Sequence, residues 1–500
     1  MTHDFRRSGT NASTISRPWT LLFAYLLITG VLYGFVTHFP LGAVETIEPG
    51  RLDRGMPIIA ATVPLYLSYL LVMPALVCLG RAKDAFLPVF FAGTVSATAC
   101  LVCHLFQPTM IVRPEPHDAW LVWLQRIDSP LAASPSGHIA LPMAIAVTLA
   151  GLRQRMAGLF ALWTALLAVT VLTTGQHYFA DVATGAAVGI ASAAATLVFV
   201  RLDVNLRTMG ALLLEWVCLL FALRLAVAFN TWYGYGAAVL VIASRQHALF
   251  ILYHDATHYN LTRRRALNDF LINVAIGVPG LVPVEFYRPL HLDHHRNVGT
   301  PDDPERRFLY VGQPWQFRPL RAVALMRQLL GDLFVLNMLR NMAAYRRSGA
   351  KPIRLSRSFY AAALVWLGIV AVLVLRCSAS TLAILGALWL GPLLTLSALI
   401  QKIRSMAEHS GGPHVTPGWA DWTYSWRVGW IARAVLWPYH INLHQQHHRS
   451  PAIPWHGLPS TLDVDTPQLE ARSLLRVLWS GGHGTSESDQ HADPHANSLK

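Results

Sequence analysis

The sequence predicts an all-α polytopic membrane protein with about ten transmembrane helices, six in a first bundle and four in a second module that carries a His-rich cap on its cytoplasmic side. Three observations predict it. Hydrophobic residues fill 53% of the 500 positions and charged residues 13%, about half the ~25% charged share of a soluble domain. Ten apolar runs approach or exceed the length needed to cross a bilayer, about 20 residues of helix. Arginines gather in alternate short loops between those runs, as the orientation rule for membrane helices requires. The composition excludes an ordinary soluble enzyme, and also a disordered chain, which is rich in charge and poor in apolar residues.

The runs fall at 18–39, 58–80, 86–106, 139–152, 157–174, 180–200, 209–229, 235–253, 359–375 and 381–400. The fourth is short and starts beside a polar motif. The first has no small-residue cleavage site after it and reads as an anchor, not a removed signal. A further stretch, 271–286, contains Pro279, Gly280 and Pro283. It reads as a re-entrant or interfacial segment, because broken backbone at membrane depth must be buried in protein. Arg6, Arg7 and Arg17, then Arg81 and Lys83, Arg153 and Arg155, Arg201 and Arg207, Arg263 to Arg265, and Lys402 with Arg404 all fall on one side, taken as cytoplasmic. The same placement assigns the net charge of +13 to a membrane and not to nucleic acid. The chain reads as a multi-pass integral protein, of the plasma or inner membrane in a bacterium. Its five cysteines lie in or beside apolar runs, so no disulfide framework is expected. Residues 1–17 read as a flexible tail, 18–207 as the first membrane module, 208–479 as the second and 480–500 as a disordered tail.

Three polar clusters interrupt the first module: Arg113-Pro114, then Pro135-Ser136-Gly137-His138, then His177 with Asp181. By the span count all three face the non-cytoplasmic side. Ionisable groups at membrane depth are costly and usually functional. Asp181 follows His177 by four residues, which on a helix is the same face. A carboxylate there fixes the imidazole's tautomer, and an imidazole so prepared can attack phosphorus. His138 can protonate a leaving oxygen. Arg113 and the loop around Ser136 and Gly137 can hold phosphate oxygens. The stretches DSPLAASPSGHIALPMA and HYFADVATG resemble the type 2 phosphatidic acid phosphatase superfamily, most of all its inositolphosphotransferase-like branch. The resemblance implies His177 as a nucleophile forming a phosphohistidine, Asp181 as its orienter, His138 as general acid, and Arg113, Ser136 and Gly137 as phosphate binders. Two cations of the phosphatase pattern are missing: Phe106 stands where a Lys is usual, and Thr170-Val171 replaces Ser-Arg.

Histidines cluster in the second module as His254-Asp-Ala-Thr-His258, His291-Leu-Asp-His294-His295 and His444-Gln-Gln-His447-His448, with His409 in RSMAEHS. On a helix, HxxxH and HxxHH aim their imidazoles to one side. Imidazole suits iron, zinc, copper and nickel. Nine imidazoles exceed the need of one ion, so two metals are implied, and a structural zinc site would sooner use cysteine. RRRALND, YRPLHLDHHRNVGTPDDPE and INLHQQHHRSPAIPWHGLP complete a pattern that resembles the membrane fatty-acid desaturases. That resemblance implies that His254, His258, His291, His294, His295, His409, His444, His447 and His448 bind two iron ions, with O2 as co-substrate. It also implies that a separate ferredoxin, cytochrome or reductase supplies electrons, since no cytochrome b5 motif occurs in the chain. Asp255, Asp293 and Glu408 are placed to support the ligands, and His440 is a candidate tenth imidazole.

The combined expectation is a bifunctional enzyme acting on membrane lipids. It would desaturate an acyl chain at the cytoplasmic face, and hydrolyse a lipid phosphate or transfer a phospho-headgroup at the opposite face. The alternative is a desaturase or hydroxylase joined to an inactive phosphatase-like module.

Overall fold

The computed structural model describes residues 18–39, 43–79, 85–298, 300, 302–305, 322–347, 353–409, 423–462, 468–475 and 478. The expected tails at 1–17 and 480–500 lie outside the described residues. The described chain is helical, with two short two-stranded parallel sheets. It divides into two compact units, Met1–Ala228 and Phe229–Lys500.

The first unit contains α1 (Pro18–His38), α2 (Val63–Leu67), α3 (Val72–Leu79), α4 (Phe86–Phe106), α5 (Ala119–Ile127), α6 (Gly137–Gly151), α7 (Ala157–Thr173), α8 (Phe179–Arg201) and α9 (Leu206–Phe229). The second contains α10 (Trp232–Thr257), α11 (Arg265–Ile272), α12 (Val284–Asn297), α13 (Ala322–Leu333), α14 (Leu336–Arg347), α15 (Arg357–Arg376), α16 (Ala379–Leu394) and α17 (Leu396–His409), then short turns that include the helix His444–Arg449. Seven stretches among the described residues are long and apolar enough to cross a membrane, and three shorter apolar helices accompany them. The second expected span is not one α-helix. With Pro64 and Pro74 in it, it alternates α and tighter turns over 60–79, as prolines without an N–H impose. The division of the chain also falls one helix later than the expected 207/208 boundary. α9 stays with the first unit because Val217 and Phe221 pack on Val36, Leu101 and Leu105.

The core of the first unit joins α4, α6 and α7 through residues such as Val89, Ile139, Ile145, Leu167 and Val171. α8 closes on α6 by having no side chain at two positions. A Cβ on Gly185 would lie 2.5 Å from the Ser136 carbonyl oxygen, and one on Gly189 would lie 2.5 Å from that of Ala140. Small residues let membrane helices approach to backbone distance. The approach lets the Ser136 amide donate to the Asp181 carbonyl at 3.1 Å, so two of the polar clusters are held together. Gly185→Val should push the two loops apart and cost about 1–3 kcal/mol of overpacking. A melting midpoint in detergent equal to that of the parent protein would contradict this.

In the second unit α10 is the central strut. The irregular stretch 271–286 lies beside it: α11 ends in a π turn at Asn273–Gly277, and the chain then bends into α12. Its free carbonyls are not left bare. Trp366 Nε1 donates to Val274, Trp389 Nε1 to Pro279 and the Tyr253 hydroxyl to Val282, at 2.8, 2.8 and 2.6 Å. Non-helical backbone at membrane depth persists only with such internal partners.

Candidate functional site

His177 does not lie on a helix with Asp181, as the spacing suggested. It sits in the loop just before α8, and Asp181 is in that helix's first turn. The two still meet: His177 Nδ1 lies 3.7 Å from Asp181 Oδ2, while the carboxylate also accepts the Tyr178 amide at 2.9 Å. Nε2 of His177 lies 3.2 Å from Nδ1 of His138. Ser136 is the residue before α6 and Gly137 its first residue, and the first amides of a helix have no partner within it. The Ser136 hydroxyl is likewise buried and unpartnered. Gly137, His138 and His177 border a cavity of about 380 Å³ that Arg113, Asp128, His104, Gln176 and four tyrosines also line.

Arg113 is committed elsewhere. It donates to the carbonyls of Asp128 and Ser129 at 2.7 and 2.5 Å and lies 3.5 Å from the Asp128 carboxylate. That carboxylate also accepts the hydroxyls of Tyr33 and Tyr66, at 2.8 and 2.6 Å. Burial opposes its ionisation, but His138, the two phenols and Arg113 outweigh it and hold the carboxyl below its ordinary range. At the positions of the missing cations, Phe106 is exposed and Val171 is fully buried. Arg113 is the one Arg or Lys lining the cavity among the described residues.

In the second unit all nine expected imidazoles come together. His254, His258, His291, His295 and His447 form one group and His294, His409 and His448 another, with His444 joining His409 and Glu408; within each group the ligand atoms lie within 4.8 Å of one another. α10 ends at the first pair, α12 carries the second set, α17 ends on His409 and the helix His444–Arg449 carries the third. The groups adjoin, since the rings of His295 and His448 stack at 4.1 Å.

The hydrogens of this cluster cannot be assigned without conflict. The Nε2 atoms of His258, His291, His295 and His447 form a chain with contacts of 3.0, 3.0 and 3.2 Å. An imidazole nitrogen carries either a hydrogen or a lone pair, so at most two of the three contacts are hydrogen bonds. A cation placed among the lone pairs removes the conflict, and the residues fit a metal centre on that ground. Burial and the Arg288 guanidinium push the His258 imidazole down to about 4, which keeps it in the neutral, metal-binding form.

Carboxylates stand on the outer nitrogens. His294 Nδ1 lies 3.0 Å from Asp303, His291 Nδ1 3.7 Å from Glu305 and His444 Nδ1 3.4 Å from Glu408. Such partners turn Nε2 inward and raise its basicity. Burial opposes a charge on His294, but Glu305 and Asp303 raise its pKa above the ordinary value. Sequence reasoning anticipated Glu408 and missed Asp303 and Glu305; the acidic PDDPE turn after the second box was the available signal. Asp255 instead accepts the Asn260 side chain and the Trp455 amide. Asp293 is exposed and paired with Arg296 at 2.8 Å. His440 stands outside the groups and stacks on Trp455, and Asn442 donates to the Trp426 carbonyl. Also unforeseen is Arg288, which grips both oxygens of Asp269 at 2.6 and 3.0 Å and the Thr257 carbonyl at 2.8 Å. It ties α12 to α11 and to the end of α10.

Comparison with known proteins bears on both units. Residues 230–478 match the family described as Fatty acid desaturase, and residues 21–195 match the PAP2 superfamily. The chain is 27% identical to the dihydrorhizobitoxine desaturase of Bradyrhizobium elkanii over 47% of its own length and 68% of that protein. It is 28% identical to an sn-1 acyl-lipid omega-3 desaturase (ferredoxin) of Nostoc sp. strain 36, over 27% of this chain and 36% of the relative. Likeness to the zeaxanthin 4-ketolase of Chlamydomonas reinhardtii is 24%, over 50% of this chain and 49% of the relative. The chain thus spans about half or less of the length of the latter two. No solved structure matches. The polypeptide therefore joins a PAP2-superfamily domain to a fatty acid desaturase domain.

Proposed function

We propose that the chain is a bifunctional membrane-lipid enzyme: an O2-dependent di-iron desaturase in its second unit and a phosphoryl-transfer site in its first. The observation that carries the reading is the convergence of nine imidazoles into adjoining groups whose ligand atoms lie within 4.8 Å of one another. His254, His258, His291, His295 and His447 would hold one iron, and His294, His409, His444 and His448 the other. A bound iron pair supplies the redox chemistry that activates O2 and removes hydrogen from an unactivated methylene. The protein's part is to hold the Nε2 atoms inward through Asp303, Glu305 and Glu408, and to keep the His258 ring neutral by burial. Electrons come from a separate carrier, a role that the ferredoxin named for one relative supports.

In the first unit His177 Nε2 attacks a lipid phosphate, and Asp181 stabilises the charge that forms on the ring. His138 gives its proton to the leaving oxygen. Ser136, the first amides of α6 and Arg113 receive the phosphoryl oxygens, Arg113 by exchanging part of its bond to Asp128. A second reading, with this unit inactive, is favoured by that same commitment of Arg113 and by the missing cations.

Two irons per purified chain, and loss of a double bond from cellular lipids on His295→Ala, are the expected results for the second unit. A metal-free protein that cannot be reconstituted would defeat the desaturase reading. For the first unit, His177→Ala should abolish a phosphoenzyme that the parent chain forms; unaltered labelling would defeat the phosphohistidine. By the parity of spans, the desaturase centre faces the cytoplasm and the phosphoryl site the other side. Arg263→Cys should then label only from the cytoplasm and Glu48→Cys only from outside, and labelling of both from one side would refute the arrangement.

A further inference from the structure

The cavity of the first unit contains two buried acceptors without a hydrogen-bond partner among the described residues. His104 is 5% exposed and borders the cavity together with His138 and His177. The Pro135 carbonyl favours a hydrogen on the His104 ring, and Nδ1 is buried without a partner, which puts that hydrogen on Nε2. Proline has no N–H, so its carbonyl accepts and Nε2 carries the hydrogen. In a neutral imidazole fixed this way, Nδ1 presents only a lone pair.

Gln176 repeats the device. It is 2% exposed, precedes His177 and borders the same cavity. Its Nε2 donates to the Thr174 carbonyl at 3.2 Å. A carbonyl accepts only, so this bond sets which end of the amide is which. Oε1 is left buried and unpartnered. Two backbone carbonyls thus turn two side chains of either hydrogen-bonding sense into obligate acceptors. Buried acceptors are costly to leave unmade, and a ligand that brings two donors makes both bonds at once.

We propose that His104 and Gln176 are specificity-determining residues of the phosphoryl site, accepting hydrogen bonds from non-reacting hydroxyls of a phosphorylated lipid headgroup. The inference rests on the phosphoryl-transfer reading of this unit. A hydroxyl suits the pair better than an ammonium does. The single carboxylate lining the cavity, Asp128, is already taken by Arg113, Tyr33 and Tyr66, so no free anion faces a cationic headgroup. A quaternary ammonium has no N–H or O–H to give. The remaining wall is mainly apolar and aromatic: the rings of Tyr66 and Tyr69 flank His138 at 4.7 and 4.6 Å.

The test compares turnover of phosphatidylglycerol, phosphatidylcholine and phosphatidic acid by the full chain in lipid nanodiscs. The parent protein should prefer the glycerol headgroup to choline by about tenfold or more in kcat/KM, one hydrogen bond's share of discrimination per acceptor. His104→Phe and Gln176→Leu should each lower the ratio of glycerol-headed to phosphatidic acid turnover by about tenfold, chiefly through KM. His104→Gln, which keeps an acceptor, should retain more of the ratio. Equal losses on all three lipids, or a parent enzyme indifferent between glycerol and choline, would overturn the proposal while leaving phosphoryl transfer intact. No turnover of any of the three by the parent chain would overturn both.

Discussion

His291→Ala is expected to lower bound iron from two per chain to one or fewer and to abolish double-bond formation. The ring is 1% exposed. Its Nε2 lies 3.0 Å from that of His258 and 3.0 Å from that of His295, so it occupies the middle of the first group. On its other side Nδ1 faces Glu305 at 3.7 Å, and the ring stacks on Tyr287 with an interplanar angle of 10°. Alanine removes a donor nitrogen, leaves Glu305 buried without its imidazole and opens a space beside Tyr287. Loss of a supporting hydrogen bond alone typically costs 10–100-fold in metal affinity, and loss of a ligand costs more. Metal analysis beside lipid mass spectrometry checks the result. Two irons retained would show that His291 is not a ligand.

Arg288→Ala should be nearly as damaging, although Arg288 touches no expected ligand through its guanidinium. That group holds both oxygens of Asp269 and the Thr257 carbonyl and lies 4.1 Å over the Tyr259 ring. The ion pair is largely buried, with side chains 11% and 16% exposed. Removing one partner of such a pair costs about 3–5 kcal/mol, and the residual exposure puts this case toward the lower figure. The cost falls where α12 is positioned against α10, so metal content should drop along with the melting midpoint. Arg288→Lys should not rescue it, because a point charge cannot span two carboxylate oxygens and a carbonyl. A shift below about 1 kcal/mol with full metal content would remove Arg288 from the argument.

These two residues also show what could be read from sequence. His291 was legible because a helix places residues three and four apart on one face, and the same rule marked eight of the nine imidazoles; His409 came from the desaturase-like stretch RSMAEHS. Apolar runs likewise located the helices to within a few residues, as for 86–106 and 157–173. Arg288 was one arginine among many, and its partner Asp269 lies nineteen residues away, beyond any helical period. Asp303 and Glu305 sit after the helix in a turn, where no repeat marks a side chain's direction. His104 looks like a single histidine in an apolar helix, and only the fold shows its cavity. The pairing of His177 with Asp181 was anticipated from a helical face, yet it arises from a loop meeting a helix start. The spacing was informative although the local structure was not the one assumed.

The unassignable hydrogens of the histidine cage bear on how this chain survives synthesis. Folding buries a row of nitrogens in which at least one contact is no hydrogen bond, and a buried polar contact left unmade costs the native state free energy. An ion that seats there and has little affinity for the unfolded chain returns that energy by mass action, about 4 kcal/mol at a thousandfold excess over its dissociation constant. If the proposed iron pair seats there, nutritional supply of the ion would govern abundance as well as turnover. Cells starved of iron should lose the polypeptide to proteolysis faster than they lose its messenger, and unchanged protein half-life under chelation would speak against that linkage.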